Sequence, residues 1–87
     1  MRNRDPLAGL RGNGALLFAD AVVPSDTAAI IPPGYIYVGT GGNVTVRAVG
    51  SENDVTYKNL ADGSYIGVLV QFVRQTGTTA ADMIVER

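Results

Sequence analysis

The sequence predicts an all-β fold: a small antiparallel β-sandwich or barrel of about six short strands with an extended N-terminal arm. Three observations carry this. Runs rich in β-branched and aromatic residues recur about every 8–12 residues. Each run ends in Gly, Pro, Asn, Asp or Ser, the residues that turn a chain. No stretch repeats apolar residues at the helical spacing of three and four over any useful length.

Met1 to Gly14 reads as the arm, and residues 15–87 as the β-domain. The arm carries Arg2, Arg4, Asp5 and Arg11, with Pro6 and glycines at Gly9, Gly12 and Gly14, and it has no period. Leu16–Val23 reads as a first strand, ended by Pro24-Ser25-Asp26 because proline cannot donate to a ladder. Thr27 to Ile31 is either one helical turn capped by Asp26 or a short strand, closed by Pro32-Pro33-Gly34. Tyr35–Gly39 and Asn43–Val49 are two further strands. The Gly41-Gly42 pair between them predicts a tight hairpin, since glycine tolerates the positive φ angles such turns need. In the second of these strands Thr45 and Arg47 alternate with Val44, Val46 and Ala48, which marks one wet face. Gly50 to Asp54 is a polar loop. Val55–Lys58 is a short strand near an edge, where Lys58 discourages unwanted pairing. Asp62-Gly63 turns the chain into a long strand, Ile66–Val73. A threonine-rich corner, Arg74 to Ala80, leads to the last strand, Met83–Val85.

The long strand is apolar on both faces. Ile66, Val68, Val70 and Phe72 alternate onto one side, Leu69 and Val73 onto the other. A single domain of 87 residues buries only about 60–65% of its unfolded surface, too little to cover both faces comfortably. Small domains usually compensate with disulfides, a metal or oligomerisation. Cys 0 and His 0 remove the disulfides and the usual transition-metal sites. Self-association is what remains, and Ile66, Val68, Leu69, Val70, Phe72 and Val73 are the candidate core and subunit-interface residues.

The formal charge of -1 conceals an asymmetry. Residues 1–11 carry a net +2, the remainder a net -3. A basic arm on an acidic body could dock onto an acidic neighbour or nucleic acid, or serve as a solubilising tail. Arg2, Arg4 and Arg11 are its candidate contact residues. No stretch approaches the roughly 18–20 apolar residues of a membrane span. Leu7-Ala8-Gly9-Leu10 is cut short by Arg11, so no secretory signal is expected and synthesis is expected in the cytoplasm.

Catalysis finds little support. Ser25, Ser51 and Ser64 have no histidine to take a proton, and no thiol exists. Ser25 beside Asp26 reads as a local hydroxyl turn. The spacing of Asp20, Asp26, Asp54, Asp62 and Asp82 brings no two together, and no calcium-loop pattern is present. Gly39-Thr40-Gly41-Gly42 resembles a phosphate loop superficially, but a strand follows it rather than a helix N-terminus. Asn43-Val44-Thr45 matches the glycosylation triplet without a signal peptide to give it meaning. The aromatics are scattered on an acidic body, so no nucleic-acid face is expected. Tyr35 and Tyr37 share a face; they could form a sugar-stacking platform, although packing in a core or interface is preferred. The chain is read as a non-enzyme with no catalytic residue, no metal and no cofactor.

Three motifs in order carry a resemblance. They are Val23-Pro24-Ser25-Asp26-Thr27, then Tyr37-Val38-Gly39-Thr40-Gly41-Gly42-Asn43-Val44-Thr45-Val46, then Val73-Arg74-Gln75-Thr76-Gly77-Thr78-Thr79-Ala80 with Asp82-Met83-Ile84-Val85 behind it. Together, from Ala21 to Val85, they resemble the head spike base proteins of tailed phages and gene transfer agents. The resemblance implies a homo-oligomer, a pentamer rather than a trimer, seated on the capsid exterior at the five-fold vertices. Its partners would be the major capsid protein below and a spike or fibre protein above, with no membrane and no nucleic acid. Synthesis would be in the bacterial host. The alternative is a trimeric decoration or cement protein that clamps capsomers. The arm lies outside the resemblance, which assigns no role to Arg2, Arg4 or Arg11.

Overall fold

A computed structural model describes residues 16–87; the arm, with Arg2, Arg4 and Arg11, lies outside the described residues. The described chain is all-β. Its strands are β1 (Ala19–Ala21), β2 (Gly34–Thr40), β3 (Gly42–Ala48), β4 (Val55–Leu60), β5 (Ser64–Val73) and β6 (Ala81–Glu86). They form one antiparallel sheet in the order β1-β6-β2-β5-β3-β4. The edge position expected for the strand bearing Lys58 is found, since β4 ends the sheet.

The Gly41-Gly42 pair does not make a hairpin. β2 and β3 are not neighbours, because β5 lies between them and pairs antiparallel with both. They therefore run in the same direction, joined through Gly41 alone. The glycines serve this crossover. A Cβ on Gly41 would collide with the Leu60 carbonyl oxygen, and the Gly41 amide donates to Asp62 Oδ1 at 2.6 Å. Two glycines in a row signal tight backbone, and the same signal serves a hairpin or a crossover.

β5 is shared between two halves of the sheet. Its first half pairs with β2, as at Ile36 with Ile66 and Val38 with Ser64, and its second half with β3, as at Val46 with Val73. Arg47 pairs with Phe72 but Ala48 pairs with Val70, which leaves Gln71 as one extra residue in β5. Such a bulge bends a strand and shifts the phase of its side chains. Strict alternation from Ile66 would put Phe72 inside and Val73 outside. The structure does the reverse, with Ile66, Val70 and Val73 buried at 1%, 0% and 2% exposure. These join Ile36, Val38, Val44, Val46, Ala80, Met83 and Val85 in one core, with Val68 packed at its margin. Buried residues from both halves meet in this one cluster, so the sheet curves around a shared core and each half turns an outer face to solvent.

The first strand is shorter than Leu16–Val23. Its regular ladder is Ala19–Ala21 against β6, extended at one end by the Leu17 and Phe18 amides donating to the Arg87 carbonyl. Thr27–Ile31 is neither helical turn nor strand. Ser25 Oγ accepts from the Thr27 and Ala28 amides (3.2 and 3.0 Å), the hydroxyl turn expected there. The segment then runs along β5, with the Ile30 amide donating to the Gln71 carbonyl at 2.7 Å. Asp62-Gly63 forms the turn expected into β5, with Gly63 at φ 75°.

Candidate functional site

The six residues proposed for the long strand divide between core and surface. Ile66, Val70 and Val73 are sealed inside the chain's own core and Val68 is half-buried. Leu69, at 42% exposure, and half-buried Phe72 are the ones left at the outer surface.

Around Phe72 the second half of the sheet builds a cationic outer face. Arg47 and Phe72 are cross-strand partners, so both side chains stand on the same side. The Arg47 guanidinium lies 4.8 Å from the Phe72 ring centre and that of Arg74 lies 4.1 Å from it. A cation over an aromatic ring is attracted by its electron-rich face. Asp54 draws the two arginines together: Arg74 Nε donates to Asp54 Oδ2 at 3.1 Å, while Arg47 Nε stands 3.5 Å from Oδ1 without a hydrogen bond. Lys58 on β4 is exposed on this half of the sheet.

Thr45 is not on a wet face. It is 8% exposed, because the corner after β5 folds over it. Its amide donates to Thr78 Oγ1 (3.0 Å), its carbonyl accepts from the Arg74 amide (2.8 Å), and its hydroxyl shares a bond with Thr56 Oγ1 (2.8 Å). Threonine hydroxyls thus satisfy backbone groups that the interrupted ladder leaves unpaired. Gly77 permits the close approach: its φ is 90°, and a Cβ there would lie 2.5 Å from Thr45 Oγ1.

Asp26 ties the Pro24-Ser25-Asp26 segment to this corner. Its carboxylate accepts from Thr76 Oγ1 (2.6 Å) and from the Thr76 amide (2.9 Å), while Arg74 donates to the Asp26 carbonyl (2.8 Å). The Thr76 hydroxyl bond, followed by the Thr76 amide, holds its pKa below the ordinary aspartate value against a smaller opposing effect of desolvation. An open depression of about 490 Å³ lies here, lined by Asp26, Thr45, Asp54, Thr56, Arg74 and Thr76. Most of these polar groups already bond one another, so the cluster acts as a clamp. Among the described residues no group of three or more His, Cys, Asp or Glu could hold a metal ion.

The outer face of the other half, on β1, β6, β2 and the first half of β5, is aromatic. Cross-strand pairing sets Tyr37 beside both Tyr65 and Ile84, and Tyr35 beside Glu86. Tyr37 and Tyr65 meet edge to face with ring centres 5.3 Å apart. Tyr35 and Tyr65 are exposed at 41% and 55%. The Tyr65 hydroxyl donates to Glu86 Oε2 at 3.3 Å, and its pKa is raised by desolvation first, then by the bond to Glu86 and the charge there. By alternation this face presents the carboxylates Asp82 and Glu86 and no Lys or Arg among the described residues.

Sequence reasoning placed Tyr35 and Tyr37 on one face and missed Tyr65, Glu86 and the Asp26–Thr76 clamp. The period of β5 from Tyr65 through Gly67 to Leu69 was a usable signal for the first. Nothing local announces a bond spanning 50 residues.

No protein-family model matches the sequence, and no curated protein matches it. A solved structure does: a chain in the capsid of a native GTA (gene transfer agent) particle, computed with C5 symmetry, is similar with a TM-score of 0.71. The identity is 27%, and the match covers 83% of each chain. The chain is thus similar in both fold and sequence to part of a gene transfer agent capsid, which supports a structural, capsid-related protein of a phage or gene transfer agent.

Proposed function

We propose that this chain is a structural virion protein of a tailed-phage or gene transfer agent head, a homo-oligomeric base on the capsid exterior at the vertices that anchors a spike or fibre. The observation that carries it is the likeness, over 83% of the chain, to part of a gene transfer agent capsid computed with C5 symmetry. Two features agree with it. The fold leaves large apolar side chains at the surface, including Phe18, Val23, Ile31, Tyr35, Tyr65 and Leu69, more than an isolated small domain needs. The polar clusters described are knitted to themselves, as suits a rigid building block rather than a catalyst.

The major capsid protein is the proposed partner below, met by the arm through Arg2, Arg4 and Arg11. Localising the tagged full chain on purified particles by electron microscopy tests the proposal. Density on the outer surface at the vertices is expected. Absence from particles overturns it, and copies spread over the capsomers as trimers would assign the chain to decoration instead. Native mass spectrometry of the purified chain is the companion measurement, with a pentamer expected.

A further inference from the structure

The two outer faces of the folded sheet differ in kind. One presents Tyr35, Tyr37 and Tyr65 with Glu86 and Asp82 and, among the described residues, no cation. The other presents Arg47 and Arg74 against Phe72, with Lys58 exposed farther along β4, and is partly offset by Asp54 and Asp26. An antiparallel sheet that faces water normally alternates apolar inside with polar outside. Three tyrosines in a row on the outside depart from that pattern.

We propose that these two faces are complementary halves of one contact: copies of this chain associate head to tail, the tyrosine face of one subunit against the Arg47–Phe72–Arg74 face of the next. The inference rests on the homo-oligomeric part of the proposed function and names the surface that would carry it. Tyrosine and arginine are among the residues enriched where protein surfaces meet, and guanidinium over a tyrosine ring gains a cation–π attraction once water is excluded. Charge decides the pairing. Tyrosine face against tyrosine face sets carboxylates against carboxylates, and arginine face against arginine face repeats the error with the opposite sign. Only unlike faces bring Glu86 and Asp82 toward Arg47 and Lys58. The proposed pentamer requires the same arrangement, because a ring with an odd number of subunits needs a contact between two different patches of the chain.

The test uses the full chain and two charge reversals, Glu86→Arg on one face and Arg47→Glu on the other. Each variant alone should raise the dissociation constant of self-association at least tenfold in sedimentation velocity. A chain carrying both reversals should recover association, because every junction of the ring then again sets opposite charges against each other. Circular dichroism checks that both fold. If either does not, Tyr35→Ser and Lys58→Glu, at exposed positions, probe the same faces and should each weaken association several-fold. Wild-type association by both variants of either set overturns the contact, as does failure of the folded double variant to recover. An oligomer indifferent to every variant overturns the contact while leaving the chain's place on particles intact. A wild-type chain that stays monomeric at all concentrations overturns both the contact and the homo-oligomer, and particle localisation then reads the virion role by itself.

Discussion

Leu69 and Val73 sit four residues apart in β5 and share a parity, so an unbroken strand would give them the same environment. The bulge at Gln71 separates them: Val73 is 2% exposed and Leu69 is 42% exposed. Val73→Ala removes two methyl groups, worth about 0.8 kcal/mol each in lost transfer free energy. A residual cavity of roughly 40 Å³ at about 24 cal/mol per Å³ adds about 1 kcal/mol. The sum, about 2.5 kcal/mol, corresponds to a fall in Tm of about 10–20 °C for a domain of this size. Leu69→Ala loses contacts at the surface only and should change stability by no more than about 0.5 kcal/mol. Urea unfolding of both variants at one protein concentration, followed by circular dichroism, measures the pair. Comparable losses at the two positions would refute the phase shift in β5 and with it the placement of Phe72 on the outer face.

Three further outcomes follow from the corner and the arm. Gly77→Ala should cost about 2 kcal/mol or more by thermal melting, from a left-handed backbone and a Cβ 2.5 Å from Thr45 Oγ1. Asp26 has its pKa lowered by folding, so its contribution to stability is complete above the unfolded value and lost as pH falls through the depressed one. Melting between pH 6 and about pH 3 should therefore show wild type losing more stability than Asp26→Asn, and parallel losses would mean that the Thr76 bonds do not favour the carboxylate. Deleting Met1 to Gly14 leaves all six strands intact and should yield a folded oligomer that no longer attaches to capsids, measured by co-sedimentation with particles; undiminished attachment would free Arg2, Arg4 and Arg11 of the role proposed for them.

Much of the secondary structure was legible because it is locally encoded. β-Branched runs bounded by turn residues mark β2 to β6, and Lys58 correctly announces an edge. Ser25 makes the turn its hydroxyl favours, since donor and acceptor lie within three residues of each other. Tyr35 and Tyr37 share a face because a strand's period of two puts them there.

What the sequence by itself could not determine were the relations between elements distant along the chain. Gly41-Gly42 records only that the backbone must pass close to something; whether a partner strand or the Leu60 carbonyl lies there depends on where β5 runs. The parity of Phe72 and Val73 turns on one extra residue opposite Arg47 and Ala48, a mismatch that exists only once β3 and β5 are paired. Thr45 looks solvated until the corner after β5 folds over it, and Asp26 looks like a local cap until Thr76 arrives from 50 residues away. Propensity and period act within a few residues, whereas register, strand order and the burial of a polar side chain arise from contacts made across the folded sheet. The sequence alone determined a small β-domain without the means of catalysis by histidine or thiol; tertiary structure decided which of its apolar residues form the core and which are left to meet another surface.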